Sequence, residues 1–267
     1  MSGRFCALFG LIVASIAQSA TAAPLQPNSK WHVDYDEAQC TATRNYGTDD
    51  KPILLVLKPS PYGGSIRLLL ISAGASTEPA RQLEASVQFD GQPRIETTAL
   101  KYSGGQRTVR SINLPMADVK AQQNAKTISI ASAGSDYSFA LSDVPPLLGA
   151  LEKCRVALLE FWNADRTDRI RQEARPLRRL ADLYSPRDYP RAAVRDDNQG
   201  TVSLSLLVDA TGKVMDCSID SSTGAARLDQ MSCYILQNRA TFRPALDKDG
   251  KPARSIYNQR ISWKIRR

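Results

Sequence analysis

The sequence predicts an α+β protein in two folded parts. The first is a β-rich N-terminal domain, a sandwich or a partly open barrel with a helix at its C-terminal end. The second is a small C-terminal domain with a three-stranded antiparallel sheet and a packed helix. Three observations predict this class: short alternating segments between turn residues from Trp31 to Leu141, an apolar helical pattern after Pro145, and a strand–strand–helix–strand pattern from Tyr189 to Trp263.

The first residues have the pattern of a secretory signal peptide. Arg4 is a short positive segment, Phe5 to Ala17 is apolar, and Ala20-Thr21-Ala22 is a small-residue cleavage signal. A membrane-spanning helix needs about 20 apolar residues, and this run is shorter. We therefore expect a cleaved signal peptide at residues 1–22 and an exported protein. The alternative is an uncleaved segment that anchors the protein in the inner membrane.

Residues 23–163 are predicted to form the β-rich domain, whose function the sequence does not indicate. Two apolar runs, Pro52 to Leu57 and Ser65 to Ser72, flank a turn cluster and predict a buried hairpin. Asp90-Gly91 is a strong hairpin dipeptide and predicts a second hairpin around it. Pro145-Pro146 then begins a helix with recurring apolar positions, which closes the domain.

Four cysteines remain after the predicted cleavage, and an even number in an exported protein indicates disulfides. Four cysteines allow three pairings. The domain boundary selects Cys40–Cys154 in the first domain and Cys217–Cys233 in the second. A zinc site is not expected, because the chain has no C-x-x-C motif and a single histidine, His32.

Residues 164–184 are predicted to form a charged helical linker, in which Pro176 kinks or restarts the helix. The wider segment from Arg166 to Arg195 contains nine arginines and four acidic residues. Two interpretations stay open: a solvated connecting helix, or an electrostatic contact with anionic envelope material such as phospholipid headgroups or cell-wall polymer. The net charge of +8 favours an anionic neighbour but identifies none.

Residues 185–267 are predicted to form the small domain. Val202 to Val208 alternate, Asp209 to Gly212 supply a hairpin loop, and the return strand is expected to place Met215 and Cys217 on one face. Helical periodicity follows, so a helix should cover the apolar face of the sheet. A last alternating strand ends the domain.

The sequence holds no recognisable catalytic site. A nucleophilic serine or cysteine needs a base, and His32 lies beside Trp31 where a strand-surface position is expected. The paired carboxylates Asp49-Asp50 and Asp196-Asp197 lie in polar loops. We therefore expect no enzyme, no cofactor and no metal. Nucleic acid is not an expected partner, since the protein is exported.

The second domain carries a series of spaced motifs. The chain reads YPRAAV from Tyr189, DATGKVMD from Asp209, SSTGAARLD from Ser221, FRPA from Phe242 and DGKP from Asp249. Together they resemble the C-terminal domain of TonB, the energy transducer of Gram-negative envelopes. The resemblance covers roughly residues 185–267 and implies a binding module without enzymatic activity.

The resemblance also implies a partner and a mode of binding. TonB-like domains take up a short extended segment of an outer-membrane TonB-dependent receptor by β-strand addition, in which backbone hydrogen bonds supply affinity. On this chain the segment would pair along the last strand, near Ile256, Asn258, Arg260 and Ser262. The implied function is that of a periplasmic protein in, or accessory to, TonB-dependent transmembrane transport.

The chain departs from the family in its N-terminal part. A full transducer has an uncleaved anchor and a long proline-rich spacer, whereas this chain has a cleavage signal and a β-rich domain. An alternative function therefore stays open: an envelope scaffold or adaptor that binds peptidoglycan or other anionic envelope material without energy transduction.

Overall fold

The structure, a computed structural model, describes residues 23–74, 80–132, 135–164 and 168–265. The predicted signal peptide at residues 1–22 lies outside these ranges. Within them, no helix is long and apolar enough to cross a membrane.

The described residues up to 164 form nine strands and two helices: β1 (His32–Tyr35), β2 (Cys40–Thr48), β3 (Lys51–Pro59), β4 (Ser65–Ala73), β5 (Arg81–Phe89), β6 (Ile95–Gly104), β7 (Arg107–Pro115), α1 (Met116–Ala121), β8 (Thr127–Ser132), β9 (Ser135–Ala140) and α2 (Val144–Phe161). The strands make one antiparallel sheet, the large sheet, in the order β1-β2-β3-β4-β7-β6-β5-β8-β9. Both predicted hairpins are present, as β3–β4 and β5–β6.

The large sheet curls into a half-barrel whose open side is bridged by the start of the described chain. Leu25 forms a parallel bridge with Phe139 of β9, and its N–H donates to the carbonyl of Ser138 at 2.7 Å. Two residues on, Pro27 forms an antiparallel bridge with Tyr46 of β2. The partly open barrel predicted from the sequence is therefore confirmed.

Helix α2 packs on two different sets of residues. Two prolines stand in its first turn, where a missing N–H breaks no helical hydrogen bond. Val144 and Leu148 pack into the core of the half-barrel. Leu158, nearer the end of the helix, packs in a second cluster that includes Ile256 from the last strand of the chain. The helix thus joins the two parts of the molecule.

The described residues from 168 onward form short strands, helical turns and a second sheet: β10 (Ile170–Gln172), β11 (Arg175–Pro176), two 3-10 turns (Leu180–Leu183 and Pro186–Asp188), α3 (Arg191–Arg195), β12 (Gly200–Val208), β13 (Val214–Ser221), α4 (Ala226–Arg239), β14 (Phe242–Arg243), β15 (Ala245–Asp247), β16 (Pro252–Ala253) and β17 (Ser255–Trp263). Strands β13, β12 and β17 form the small sheet, in that order. Helix α4 covers one face of it, as predicted, and the α+β class is confirmed.

The hairpin between β12 and β13 turns at Gly212, as the sequence predicts. Its φ of +85° lies in the left-handed region that favours glycine. A side chain there would also collide with the carbonyl group of Phe242. The Gly212 carbonyl in turn accepts the N–H of Phe242 at 2.9 Å, so the turn fixes the start of β14.

One residue of this hairpin does not lie on its expected face. The pairing shifts between Leu207↔Asp216 and Val208↔Val214, so Met215 is the extra residue of a β-bulge. Its side chain is 47% exposed instead of packing beside Cys217 under the helix.

The predicted linker helix is wrong for residues 168–184. This segment forms β10, β11 and a 3-10 turn, and the two strands pair with β15 and β14. Its apolar residues Ala174, Leu180 and Leu183 are buried in the core that α4 covers. Pro176, which cannot continue a helix, lies in β11. Packing against the C-terminal strands therefore replaces the local helical preference.

Both predicted disulfides are present. Cys40 of β2 is bonded to Cys154 of α2, with their Cα atoms 5.9 Å apart. Cys217 of β13 is bonded to Cys233 of α4, with a Cα separation of 5.5 Å. Each disulfide joins a strand to a helix.

We call residues 23–164 the β-rich region and residues 185–265 the C-terminal region. They contact each other through the cluster around α2 and through the polar contacts described below. The domain boundaries expected from the sequence stay a prediction.

Candidate partner-binding edge

The candidate site is the outer edge of β17. This strand pairs with β12 from Val208↔Ser255 to Gly200↔Trp263. Within the described ranges, no strand pairs with its second edge. A free edge presents unpaired N–H and C=O groups, which form a template for another extended segment.

The alternation of the ladder assigns the backbone groups that face outward. In an antiparallel pair, every second residue directs both backbone groups away from its partner strand. The side chain of Gln259 donates to the carbonyl oxygen of Arg260 at 2.6 Å, so this carbonyl points away from β12. The hydroxyl oxygens of Thr201 and Ser262 lie 2.8 Å apart, a close approach typical of the same kind of position. The outward-facing residues are therefore Ile256, Asn258, Arg260 and Ser262.

These four residues are the predicted site residues, and they lie together on the face of the small sheet opposite α4. The side chain of Ile256 is buried against α2, with 9% exposed. Asn258, Arg260 and Ser262 are exposed. The side-chain oxygen of Asn258 accepts a hydrogen bond from Ser205 at 3.2 Å. Ile256 thus offers a partner its backbone groups alone, whereas the other three also offer side chains.

The opposite edge of the small sheet, β13, is covered by the β-rich region. Lys58 Nζ lies 3.0 Å from both carboxylate oxygens of Asp216, and these side chains are 11% and 15% exposed. The hydroxyl of Ser65 donates to the backbone carbonyl of Ile219. Burial lowers the pKa of Lys58, and the carboxylate of Asp216 opposes this shift. Of the two edges, β17 is the accessible one in the described structure.

Helix α4 is capped by the large sheet. The first N–H groups of a helix have no partner inside it, and Ala225 at the N-cap has no side chain that could accept them. Thr98 Oγ1 on β6 accepts the N–H of Ala226 at 3.0 Å, and Gln82 Oε1 on β5 accepts the N–H of Arg227 at 3.0 Å. The two regions are therefore joined at specific positions.

The SSTG motif before α4 is held by a buried carboxylate. Asp229 is 2% exposed, and its oxygens accept hydrogen bonds from Ser222 Oγ at 2.5 Å, Thr223 N at 2.9 Å and Thr223 Oγ1 at 2.8 Å. Burial raises the pKa of Asp229, and these hydrogen bonds oppose the shift. The motif is spaced so that Ser222 and Thr223 reach the carboxylate of Asp229 and fix the loop before α4. Its role is therefore structural.

Sequence reasoning missed residues of the β-rich region that border β17. The turn between β3 and β4 crosses the small sheet, where the side chain of Ser60 lies near that of Asp220 of β13 and the hydroxyl of Tyr62 lies near the side chain of Asn258 of β17. The sequence feature that could have indicated this contact is the aromatic residue Tyr62 inside the turn cluster PSPYGG.

A second contact of this kind lies at the start of β17. The guanidinium of Arg254 stacks 3.8 Å from the ring centre of Phe161, at the end of α2. The carbonyl of Arg254 also accepts a hydrogen bond from the Asn163 side chain at 2.9 Å. No sequence pattern connects residues this far apart in the chain.

The comparison with known proteins finds one family that the C-terminal region is similar to. Residues 185–265 match the model of the Gram-negative bacterial TonB protein C-terminal domain, which confirms the resemblance for this segment. That family is associated with TonB-dependent transport and outer-membrane receptors in the Gram-negative envelope, and it is not a family of enzymes. No significant match was found among curated proteins or among solved structures.

Proposed function

We propose that this protein is a periplasmic TonB-like protein whose C-terminal region binds segments of outer-membrane receptors by β-strand addition, in or accessory to TonB-dependent transport. The free outer edge of β17, within the segment that matches the TonB family, carries the proposal. In this mode of binding, backbone hydrogen bonds supply affinity and alternate side chains supply selectivity. The periplasmic location rests on the signal-peptide pattern, and a mature protein that starts at Ala23 in mass spectrometry would support it.

Charge on the edge favours a receptor segment over a second copy of the same strand. Arg260 and Lys264 are exposed on or beside β17. Two copies of a positively charged edge repel each other, which is a common protection against aggregation. The same charges attract an acidic segment and speed its encounter.

The variant pair Arg260→Pro and Arg260→Ala tests strand addition. Proline removes the outward N–H, whereas alanine removes only the side chain and keeps the backbone donor. We expect Arg260→Pro to weaken binding by about tenfold, which is the loss of roughly one hydrogen bond, and Arg260→Ala to have a smaller effect. The measurement is fluorescence polarisation with synthetic peptides that cover the periplasmic N-terminal segments of the bacterium's TonB-dependent receptors.

Tyr257→Pro is the matched folding control. Tyr257 lies in the intervening set, whose backbone groups bond β12, so proline there should unfold the small sheet and change the circular dichroism spectrum. Arg260→Pro should keep the native spectrum. If Arg260→Pro is folded and binds as well as Arg260→Ala does, strand addition along β17 is wrong.

A second candidate function is an envelope scaffold that binds peptidoglycan or other anionic envelope material. It is favoured by exposed arginines between residues 168 and 195, namely Arg171, Arg175, Arg178, Arg187 and Arg191. Cosedimentation with purified peptidoglycan, lost at high salt, would support it, because salt screens contacts between exposed charges. If the protein stays in the supernatant at low salt, this function is wrong.

A further inference from the structure

We infer that the β-rich region forms one wall of the groove beside β17 and selects the extended segments that can bind there. The preferred segment has an apolar side chain between two acidic ones, all on one face of the strand. This inference rests on the proposed function, and it assigns part of the selectivity to residues outside the TonB-like segment.

The wall is built from two elements of the β-rich region that reach β17 on the face opposite α4. The end of α2 packs on Ile256 and places Phe161, 37% exposed, beside the start of the strand. The β3–β4 turn places Tyr62, 43% exposed, beside Asn258. A segment added to the outer edge would therefore have these two aromatic rings next to its own side chains.

The spacing of the wall defines the order of side chains in the segment. Alternate residues of a strand point to the same face and lie about 6.7 Å apart. The Arg254–Phe161 stack lies just before the first residue of β17, Tyr62 lies beside Asn258, and Arg260 follows two residues later on the same face. An apolar side chain opposite Tyr62 would bury its exposed ring, with a charged side chain on either side.

The charges of the wall decide the sign of those flanking side chains. Among the ion pairs of the described residues, none includes Arg254 or Arg260. Both guanidinium groups can therefore form an ion pair with a carboxylate of the partner and donate hydrogen bonds to it. The position beside Tyr62 differs from these two because it already has acidic neighbours. Burial raises the pKa of the Tyr62 hydroxyl, and the nearby carboxylates of Asp220 and Glu173 raise it further. A third acidic side chain is disfavoured there, so an uncharged one fits.

The test uses four labelled peptides and the full-length protein. The core Glu-Ser-Leu-Ser-Ser-Ser-Glu places carboxylates opposite Arg260 and Arg254 and leucine opposite Tyr62 in an antiparallel pairing, and its reversed sequence does so in a parallel one. The two control peptides take the tighter-binding order and replace leucine by serine, or both glutamates by lysine. Binding is measured by fluorescence polarisation, and thermal unfolding checks that each variant is folded.

Tyr62→Ala is expected to weaken binding of the leucine peptide by about fivefold, the usual value of one aromatic contact, and to leave the serine peptide unchanged. Arg254→Gln is expected to reduce the preference for glutamate over lysine. Tyr234→Ala is the matched control, because Tyr234 is 58% exposed on α4, across the small sheet from the groove. This variant should change neither the affinity for the leucine peptide nor the preference for glutamate over lysine.

The outcomes separate this inference from the proposed function. If Arg260→Pro weakens peptide binding but Tyr62→Ala and Arg254→Gln do not alter the preferences, strand addition stands and the wall is wrong. If Arg260→Pro leaves peptide binding unchanged, strand addition is wrong as well. If no peptide binds while receptor segments do, the proposed side-chain pattern is wrong and the proposed function stands.

Discussion

Trp263 ends β17 and closes the core of the C-terminal region. Its ring contacts Tyr184 and Tyr189 edge-on, with ring centres 5.6 and 5.1 Å away, and its Nε1 donates to Ser232 Oγ at 2.8 Å. Trp263→Ala should lower the free energy of unfolding by about 3–5 kcal/mol, because it leaves a large cavity. Trp263→Phe keeps a ring and should cost less. Urea unfolding followed by circular dichroism measures both, and equal losses would contradict the packing explanation.

Asp188 and Arg239 form a two-point ion pair, with both N–O distances 2.7 Å. The hydrogen bonds from Arg239 hold the pKa of Asp188 well below its ordinary value. Because the folded-state pKa is depressed, the pair stabilises the fold above the unfolded-state pKa of about 3.9, and this contribution is lost as pH falls through the folded-state pKa.

Asp188→Asn should therefore lower Tm near pH 7 and have less effect near pH 2. Asp182→Asn is the control, since its partner Arg179 is 85% exposed and such pairs contribute little. Differential scanning calorimetry at the two pH values measures the effect. A loss of Tm that is the same at both would show that Asp188 acts through its capping contacts with Ser185 instead.

At this scale the sequence predicts backbone positions better than side-chain neighbours. The last strand is present where the sequence places it, and alternation alone groups Asn258, Arg260 and Ser262 on one face, whereas its role in binding stays a prediction. The burial of Ile256 could not be predicted, because the helix that covers it comes from another part of the chain. Tyr62 lies beside Asn258 for the same reason, since tertiary packing brings its turn across the sheet.

Among the elements, the two disulfides differ in the length of chain that they close. Cys40–Cys154 has a sequence separation of 114 and Cys217–Cys233 one of 16. In the chain-entropy model, the longer loop is worth about 4–5 kcal/mol and the shorter about 3 kcal/mol. Replacing both cysteines of a pair by alanine should therefore cost more for the first pair than for the second. Urea unfolding of the two variants measures this, and the opposite order would contradict the model.

The strands of both sheets are predictable because one of their faces is buried, so apolar and polar residues alternate. The segment from 168 to 184 is not predictable in this way. Its composition favours a helix, but it pairs with β14 and β15, which come more than sixty residues later. The bulge at Met215 also could not be predicted from the sequence, because one extra residue leaves the local pattern of a strand unchanged.

For the whole molecule, the contact between the two regions includes the largely buried pair Lys58–Asp216. Lys58→Met should cost about 3–5 kcal/mol of folding free energy, because it leaves the carboxylate buried without a partner. The double variant Lys58→Met with Asp216→Leu removes both charges and should recover most of that loss. Calorimetry measures both. If the double variant is no more stable than the single one, the charge is not the cause.

The covered β13 edge has a consequence for the number of partners. A sheet with two free edges can add strands on both sides, and repeated head-to-tail addition builds an open-ended fibre. Here the β-rich region closes one side of the small sheet at Lys58 and Ser65. Growth by edge pairing at the small sheet therefore stops after one addition, so two copies that meet through β17 end as a dimer at this sheet.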